Sequence, residues 1–134
     1  MDLIRWIAVG MAVALGIAGA LNYIPGLTDA QGRAFGVFAL DPFDDALHFA
    51  SATWAGIAAF TSRRASEIFL KAFGTLYCLD GLMGLAFGSG YLDLGIIRQG
   101  VISMPFTFKI MANAPHILLG GIGVIGGFVL AKKV

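Results

Sequence analysis

Long apolar stretches separated by shorter polar intervals dominate this chain. A transmembrane helix needs roughly 17–25 mostly apolar residues, and four stretches reach that length: Leu3–Leu21, Phe43–Thr61, Phe69–Phe87 and Asn113–Ala131. The first stretch is similar to a signal peptide, because Arg5 precedes it and it ends in Ala-Gly-Ala. Its length and its match to the third stretch favour a retained span. The pattern therefore predicts an all-α integral membrane protein with four spans.

Composition also indicates a lipid environment. Hydrophobic residues make up 58% of the 134 residues and charged residues only 13%, whereas a soluble domain carries about 25% charged residues. The length predicts one transmembrane domain covering residues 1–134. The chain has no basic tract that would indicate nucleic-acid binding. Its single cysteine, Cys78, excludes a disulfide within the chain.

The two halves of the sequence match each other. His48 and His116 stand 68 residues apart, and the same offset aligns Asp45-Ala-Leu-His48 with Asn113-Ala-Pro-His116. It also aligns Gln31-Gly32 with Gln99-Gly100. Internal repeats of this kind decide the architecture. We predict a tandem duplication of a two-helix hairpin, with repeat halves of about 1–66 and 69–134, forming a four-helix bundle with a pseudo-twofold axis along the membrane normal.

Basic residues predict the orientation in the membrane. They gather at both termini and around the central turn: Arg5, Arg63, Arg64, Lys71, Lys132 and Lys133. Residues 22–45 instead carry four aspartates and one arginine. The positive-inside rule then places both termini in the cytoplasm, most simply at a bacterial inner membrane. The two longer connections face outside, and their apolar segments, Ala34–Phe38 and Val101–Phe108, are expected as short interfacial helices or turns.

Small residues recur at a spacing of four in three of the predicted spans. Such spacing puts each set on one helix face and allows close approach of helices in lipid. We expect helix contacts at Ala12, Gly16 and Ala20, at Gly84 and Gly88, and at Gly123 and Gly127.

The two histidines follow residues that are typical of helix N-termini. Asp45, or its neighbour Asp44, is predicted to cap the second helix, and Asn113 the fourth. Each histidine then lies in the first turn near the outer membrane face. In one interpretation the imidazole hydrogen-bonds the cap or the preceding connection, as the glutamate of a capping box does.

The other interpretation is that the histidines ligate a cofactor. The positive end of a helix dipole keeps an imidazole neutral and able to coordinate. Small residues four positions away, Ala52, Ala112 and Gly120, leave room for a flat macrocycle. One haem with His48 and His116 as axial ligands, or one (bacterio)chlorophyll on each, is therefore a candidate. Two histidines are too few for a closed structural zinc site.

Asp80 lies near the middle of the third stretch. An acid at that depth is costly and is by default a functional candidate. Its repeat mate is Ala12, so its role is not duplicated. Tyr77, Thr75, Asn22 or a group on another subunit is its expected partner. A neutral hydrogen bond between helices and a proton or ion role both stay open.

Two motifs carry a resemblance to a known family. The run Phe-Gly-Val-Phe-Ala-Leu-Asp-Pro at residues 35–42, followed by Asp45-Ala-Leu-His48, resembles small four-span bacterial membrane proteins of unknown function. The run from Asn113 to Gly120 is similar to the fourth span of that family, although Asp45 stands where the family has asparagine and the usual glycine after the first histidine is displaced to Gly56. The resemblance implies four spans and repeated histidines, and it implies no activity.

Three classes of function fit these observations. The preferred hypothesis is a non-enzymatic accessory or structural subunit that packs against other membrane subunits or another copy, because no catalytic constellation is present in the sequence. The first alternative is haem or (bacterio)chlorophyll binding through His48 and His116. The second is a small transporter or channel that uses Asp80.

Overall fold

Helices form nearly all of this computed structural model, which describes residues 1–30, 33–34, 38–39, 42–92 and 94–133. Two strands of two residues each, β1 (Arg33–Ala34) and β2 (Phe38–Ala39), pair antiparallel. The predicted all-α fold class is confirmed as far as the helical content of the structure is concerned. The helices are α1 (Leu3–Ala20), α2 (Pro42–Thr61), α3 (Arg63–Phe87), α4 (Gly95–Gln99), α5 (Phe106–Val124) and α6 (Ala131–Lys133), with a 3₁₀ turn at Leu21–Tyr23 and a π-helix at Ile125–Leu130 that joins α5 to α6.

Within the described parts of the chain, three helices are long and apolar enough to cross a membrane: α1, α3 and the continuous rod Phe106–Lys133. This supports the prediction of an integral membrane protein. The second predicted span also forms a helix, α2, but Asp44, Asp45 and His48 lie in its first two turns, and α2 does not reach the same apolar standard. A fourth span therefore stays a prediction.

Two helices begin before the residue predicted to cap them. Helix α2 begins at Pro42 and α5 at Phe106, in each case before the predicted cap. Asp45 therefore lies inside the first turn of α2, where it is 2% exposed. Asn113 lies well inside α5, where its side-chain amide donates to the Lys109 carbonyl at 2.9 Å. Both predicted N-caps, Asp45 and Asn113, are wrong, because each helix begins before them. For α2, a proline is tolerated at the first position of a helix, which lets the helix begin at Pro42.

In each pair of neighbouring long helices, an arginine of the first helix donates a hydrogen bond to a backbone carbonyl near the end of the second. Helix α1 packs mainly against α2, and α3 mainly against α5. Arg5 Nε donates to the Ala59 carbonyl near the end of α2 at 2.6 Å, and Arg63 Nη2 donates to the Ala131 carbonyl at 2.8 Å. A cation is favourable at the carbonyl end of a helix.

Arg63 also brings three parts of the chain together. Its Nη1 lies 3.9 Å from Asp2 Oδ1, in addition to the bond to Ala131. The central turn and residues near both ends of the chain therefore share one end of the molecule. We call this the basic end, defined by Arg5, Arg63 and Lys132, and we call the opposite end, with the two longer connections, the loop end.

Helices α3 and α5 approach each other backbone to backbone. A Cβ added at Gly74 would lie 2.7 Å from the carbonyl carbon of Gly123. A Cβ added at Gly127 would lie 2.8 Å from the backbone nitrogen of Lys71. Gly84 instead lies against the side chain of Asn113, which a Cβ at that position would meet. The expected contacts of Gly84, Gly123 and Gly127 are thus confirmed.

Gly16 and Gly88 do not make the expected contacts between helices of this chain among the described residues. Gly16 has open space where a side chain would stand, because α1 instead meets α2 at Gly19, which packs against the Phe49 ring. Gly88 is not on a helix face but ends α3 in a left-handed conformation, with φ of +82° and its N–H donating to the Gly84 carbonyl. A side chain at Gly88 would also collide with the Ile102 carbonyl.

An apolar core fills the half of the molecule nearer the basic end. Within it Ser66 Oγ donates to the carbonyls of Ala58 and Ser62. Phe69, Phe73 and Tyr77, spaced by four on α3, form a ladder with ring centroids 5.2 and 4.8 Å apart. This ladder leads from the core toward the loop end. The buried apolar residues are Ile4, Ala8, Met11, Leu15, Ala55, Ala58, Ala59, Phe69, Leu70, Phe73 and Tyr77.

The predicted interfacial segments are only partly visible. The first, Ala34–Phe38, lies largely outside the described residues. In the second connection, the short helix α4 precedes the predicted segment Val101–Phe108. Residues 101–105 have no helix or strand before α5 begins.

Candidate functional site

Both histidines reach one cavity at the loop end. The cavity has a volume of about 490 Å³ and lies between α2, α3, α5 and the second connection. That volume is within the range of small-molecule sites, about 300–1,000 Å³. Its polar lining includes Asp44, His48, Tyr77, Asp80 and His116. The sequence predicted three of these as site residues: His48, Asp80 and His116.

His48 is held between a carboxylate and a phenol. Its Nε2 lies 3.1 Å from the Tyr77 hydroxyl, and its Nδ1 lies 3.7 Å from Asp44 Oδ2. A carboxylate beside Nδ1 favours the proton on that nitrogen, so Nε2 accepts the hydrogen bond of the Tyr77 hydroxyl. His48 is 9% exposed, and this arrangement orients its ring within the cavity.

His116 contacts the other side of the same phenol. The ring centroids of Tyr77 and His116 are 4.5 Å apart. His116 Nε2 lies 3.6 Å from Asp80 Oδ2, and an acceptor at that place favours a proton on Nε2. Tyr77 therefore joins the two histidines, through its hydroxyl to one and through its ring to the other.

Asp80 fastens the turn that follows α3. Its Oδ1 accepts backbone N–H bonds from Tyr91 at 2.8 Å and from Leu92 at 2.9 Å. The carboxyl group is largely buried, with Asp80 7% exposed. A side chain at Gly90 would collide with Asp80 Oδ1, so the turn depends on a glycine there.

Among the described residues, the expected partners Thr75 and Tyr77 are not the observed hydrogen-bond partners of Asp80, and a partner on another subunit stays a prediction. Thr75 Oγ1 donates to the Lys71 carbonyl, and Tyr77 binds His48 instead. The Asn22 side chain lies outside the described part of the structure. Tyr91, beyond the end of α3, donates its hydroxyl to the Leu76 carbonyl at 2.7 Å. Burial, and then the charge of Asp80, raise the pKa of Tyr91 above its ordinary value.

Ser89 is a site residue that the sequence did not reveal. It lines the cavity and is 5% exposed. Its Oγ has no hydrogen-bond partner among the described residues. A buried hydroxyl without a partner costs about 1–3 kcal/mol, so a native structure normally supplies one from a ligand or an ordered water.

The predicted first-turn positions of the two histidines are not observed. Because α2 and α5 begin early, His48 lies in the second turn of α2 and His116 near the middle of the rod from Phe106 to Lys133. Asn113 lines the cavity, whereas Asp45 is not among the described residues that do. Sequence reasoning also missed Tyr77 as the centre of the site. The four-residue spacing of Phe69, Phe73 and Tyr77 was the available signal.

Fold and site together define a helical protein with helices long and apolar enough to cross a membrane and a cavity that contains several polar side chains. Comparison with protein-family models, curated proteins and solved structures finds no match to this chain. The resemblance to the four-span bacterial family therefore stays a prediction. The function has to be argued from the cavity itself.

Proposed function

We propose that this chain is a non-enzymatic membrane protein that binds a small molecule in its histidine cavity. The observation that carries the proposal is the convergence of His48 and His116 on Tyr77 inside an enclosure of about 490 Å³. Ionisable side chains are costly in the interior of a membrane protein and mark functional sites. Binding of a small molecule requires only this cavity and the polar groups that line it.

The apolar core favours binding over conduction. Between the cavity and the basic end lie side chains with no exposed surface, among them Ile4, Phe69 and Leu70. A path for ions or protons would need polar groups or water through that region. The alternative of a transporter or channel using Asp80 therefore has less support. Unaltered flux after Asp80→Asn would count against it.

Native mass spectrometry in mild detergent tests the proposal. We expect the purified protein to carry a small molecule that is neither lipid nor detergent. Ala112→Phe, which places a ring in the cavity wall, should remove it. Ala50→Phe, at an exposed position of α2, should not. A molecule retained equally by both variants would show that it binds elsewhere.

Haem or (bacterio)chlorophyll is a second candidate ligand. The pairing of Asp44 with His48 Nδ1 is the arrangement that orients ligating histidines and leaves Nε2 as the ligand atom. His116 fits less well, because its Nε2 faces Asp80. Ligation would therefore rest on His48, with the Tyr77 hydroxyl displaced from it.

The visible absorption spectrum of the purified protein tests this candidate. His48→Ala should abolish a tetrapyrrole spectrum, and His116→Ala should leave most of it. A spectrum that survives the replacement of both histidines would exclude ligation by either.

We also propose that the chain forms four spans by duplication of a hairpin. The pairing of α1 with α2 and of α3 with α5 supports a repeat of two helical hairpins. The charges at the basic end support cytoplasmic termini in a bacterial inner membrane.

An accessory role in a larger membrane assembly is part of the same proposal. Gly10, Gly16 and Gly56 have open space where a side chain would stand, which suits close approach of helices from other subunits or from another copy. The mass of the complex in mild detergent tests this role. A lone, stable monomer would argue against it.

A further inference from the structure

We infer that the cavity binds a lipophilic organic cation of the amine class, an inference that rests on the proposed binding function. The first support is charge. Asp44 and Asp80 are the carboxylates among the described residues that line the cavity, and no lysine or arginine lines it there. A cation complements this lining, whereas an anion would meet two carboxylates in a medium of low dielectric.

The second support is the aromatic wall. Trp54, Phe73, Tyr77 and Phe108 line the cavity, and the faces of such rings attract cations within about 6 Å. One of these rings already receives a cation from the chain itself. The guanidinium carbon of the exposed residue Arg33 lies 5.8 Å from the centre of the Phe108 ring.

The third support is the buried hydroxyl of Ser89. Because Asp80 binds the backbone of Tyr91 and Leu92, the turn that carries Ser89 is held beside the Asp80 carboxylate. A protonated amine has several N–H donors, so it can donate to the carboxylate and to Ser89 Oγ together. A charge-assisted hydrogen bond of this kind is about twice as strong as a neutral one. The pairing gives the Ser89 hydroxyl the partner that the described residues do not provide.

Tryptophan fluorescence offers a direct test. The chain has two tryptophans: Trp54 lines the cavity, and Trp6 is exposed on α1. Trp6→Phe leaves Trp54 as the only tryptophan reporter. Three probes share one skeleton and differ only in the end group: phenylbutylamine is a cation, phenylbutanol is neutral and phenylbutyrate is an anion.

We expect the amine to change Trp54 fluorescence saturably. The alcohol should bind about tenfold more weakly, since it lacks one charge-assisted hydrogen bond. The carboxylate should give no saturable change. Asp80→Asn should weaken the amine about tenfold and leave the alcohol unchanged.

Two further variants separate binding from folding. Ser89→Ala should weaken the amine by roughly fivefold, one ordinary hydrogen bond, without destabilising the unliganded protein. This variant keeps the test valid if Asp80→Asn does not fold, since Asp80 also fastens its turn. Glu67→Gln is the matched control, because Glu67 lies on the same helix at the basic end and pairs with Lys71. Its binding should equal that of the parent protein.

Two outcomes have distinct meanings. Equal binding of amine and alcohol, or amine binding unaffected by both Asp80→Asn and Ser89→Ala, would overturn the inference and leave the proposed cavity function standing. No saturable response to any probe, together with purified protein that carries no small molecule, would overturn both.

Discussion

Tyr77 connects the residues on which the site depends. Its hydroxyl binds His48, and its ring contacts both His116 and Phe73. In the predicted repeat, Tyr77 aligns with Val9 and Asp80 with Ala12, so only the second half of the chain supplies these two groups. His48 and His116 align with each other in the predicted repeat, yet they have different partners and therefore different roles.

Tyr77→Phe tests the importance of this phenol. The change keeps the stacked ring and removes the donor to His48 Nε2, so we expect the free energy of unfolding to fall by about 1–2 kcal/mol. Thermal or denaturant unfolding in detergent measures the change. Tyr23→Phe, at a residue that is 65% exposed, should have an effect below about 0.5 kcal/mol. Equal losses in the two variants would contradict the assigned role.

Part of the candidate site could be predicted from single residues. An acid and two histidines stand out in an apolar chain, so His48, His116 and Asp80 were identified from the sequence. Their partners were not, because pairing depends on the register between α3 and α5, which is set by backbone contacts such as that of Gly74 with Gly123. Ser89 carried no signal, since a serine in a glycine-rich turn is ordinary.

Among the secondary-structure elements, the apolar stretches predicted where helices occur better than they predicted the residues at which those helices begin and end. Helices α1 and α2 begin and end within one residue of the prediction, whereas α3 and α5 begin earlier, at Arg63 and Phe106. Polar residues such as Arg64, Ser66 and Glu67 extend α3 ahead of its apolar part. A helix needs hydrogen-bonded backbone groups, but it does not need an apolar side chain at every position. Hydrophobicity alone therefore locates the apolar span and misses the residues that extend the helix beyond it.

The glycine contacts between α3 and α5 give a matched pair of substitutions. A Cβ at Gly120 would collide with the backbone of Cys78, whereas one at Gly121 would meet nothing within 4 Å. We expect Gly120→Ala to destabilise the protein by about 1–3 kcal/mol through overpacking. Gly121→Ala should be neutral or stabilising by up to about 1 kcal/mol, because alanine favours the helix. Unfolding in detergent measures both, and a larger loss at Gly121 would refute the close packing.

At the scale of the whole molecule, the two hairpins meet at a polar cavity on one side and an apolar core on the other. The arginine contacts of Arg5 and Arg63 close each hairpin separately. The site, in contrast, takes His48 from the first hairpin and Tyr77, Asp80 and His116 from the second. Neither half contains it alone.

Labelling of single cysteines tests the predicted orientation. In a Cys78→Ala background, Arg64→Cys and Lys133→Cys report the basic end, and Tyr23→Cys reports the loop end. In intact cells an impermeant maleimide should label only the cysteine at position 23. After the membrane is opened, all three should react. Labelling of position 64 or 133 in intact cells would reverse or refute the assigned orientation.

The modest apolar character of α2 has a consequence for biosynthesis. This helix leaves the ribosome before α3, yet the hydroxyl that satisfies His48 belongs to Tyr77 on α3. In the proposed four-span arrangement, the first hairpin would enter the bilayer with a poorly anchored second helix, and its stable integration would wait for the arrival of α3. Translation halted after Thr61 should leave α2 prone to slip back out of the lipid, and the nascent chain would be most exposed to membrane proteases in that interval.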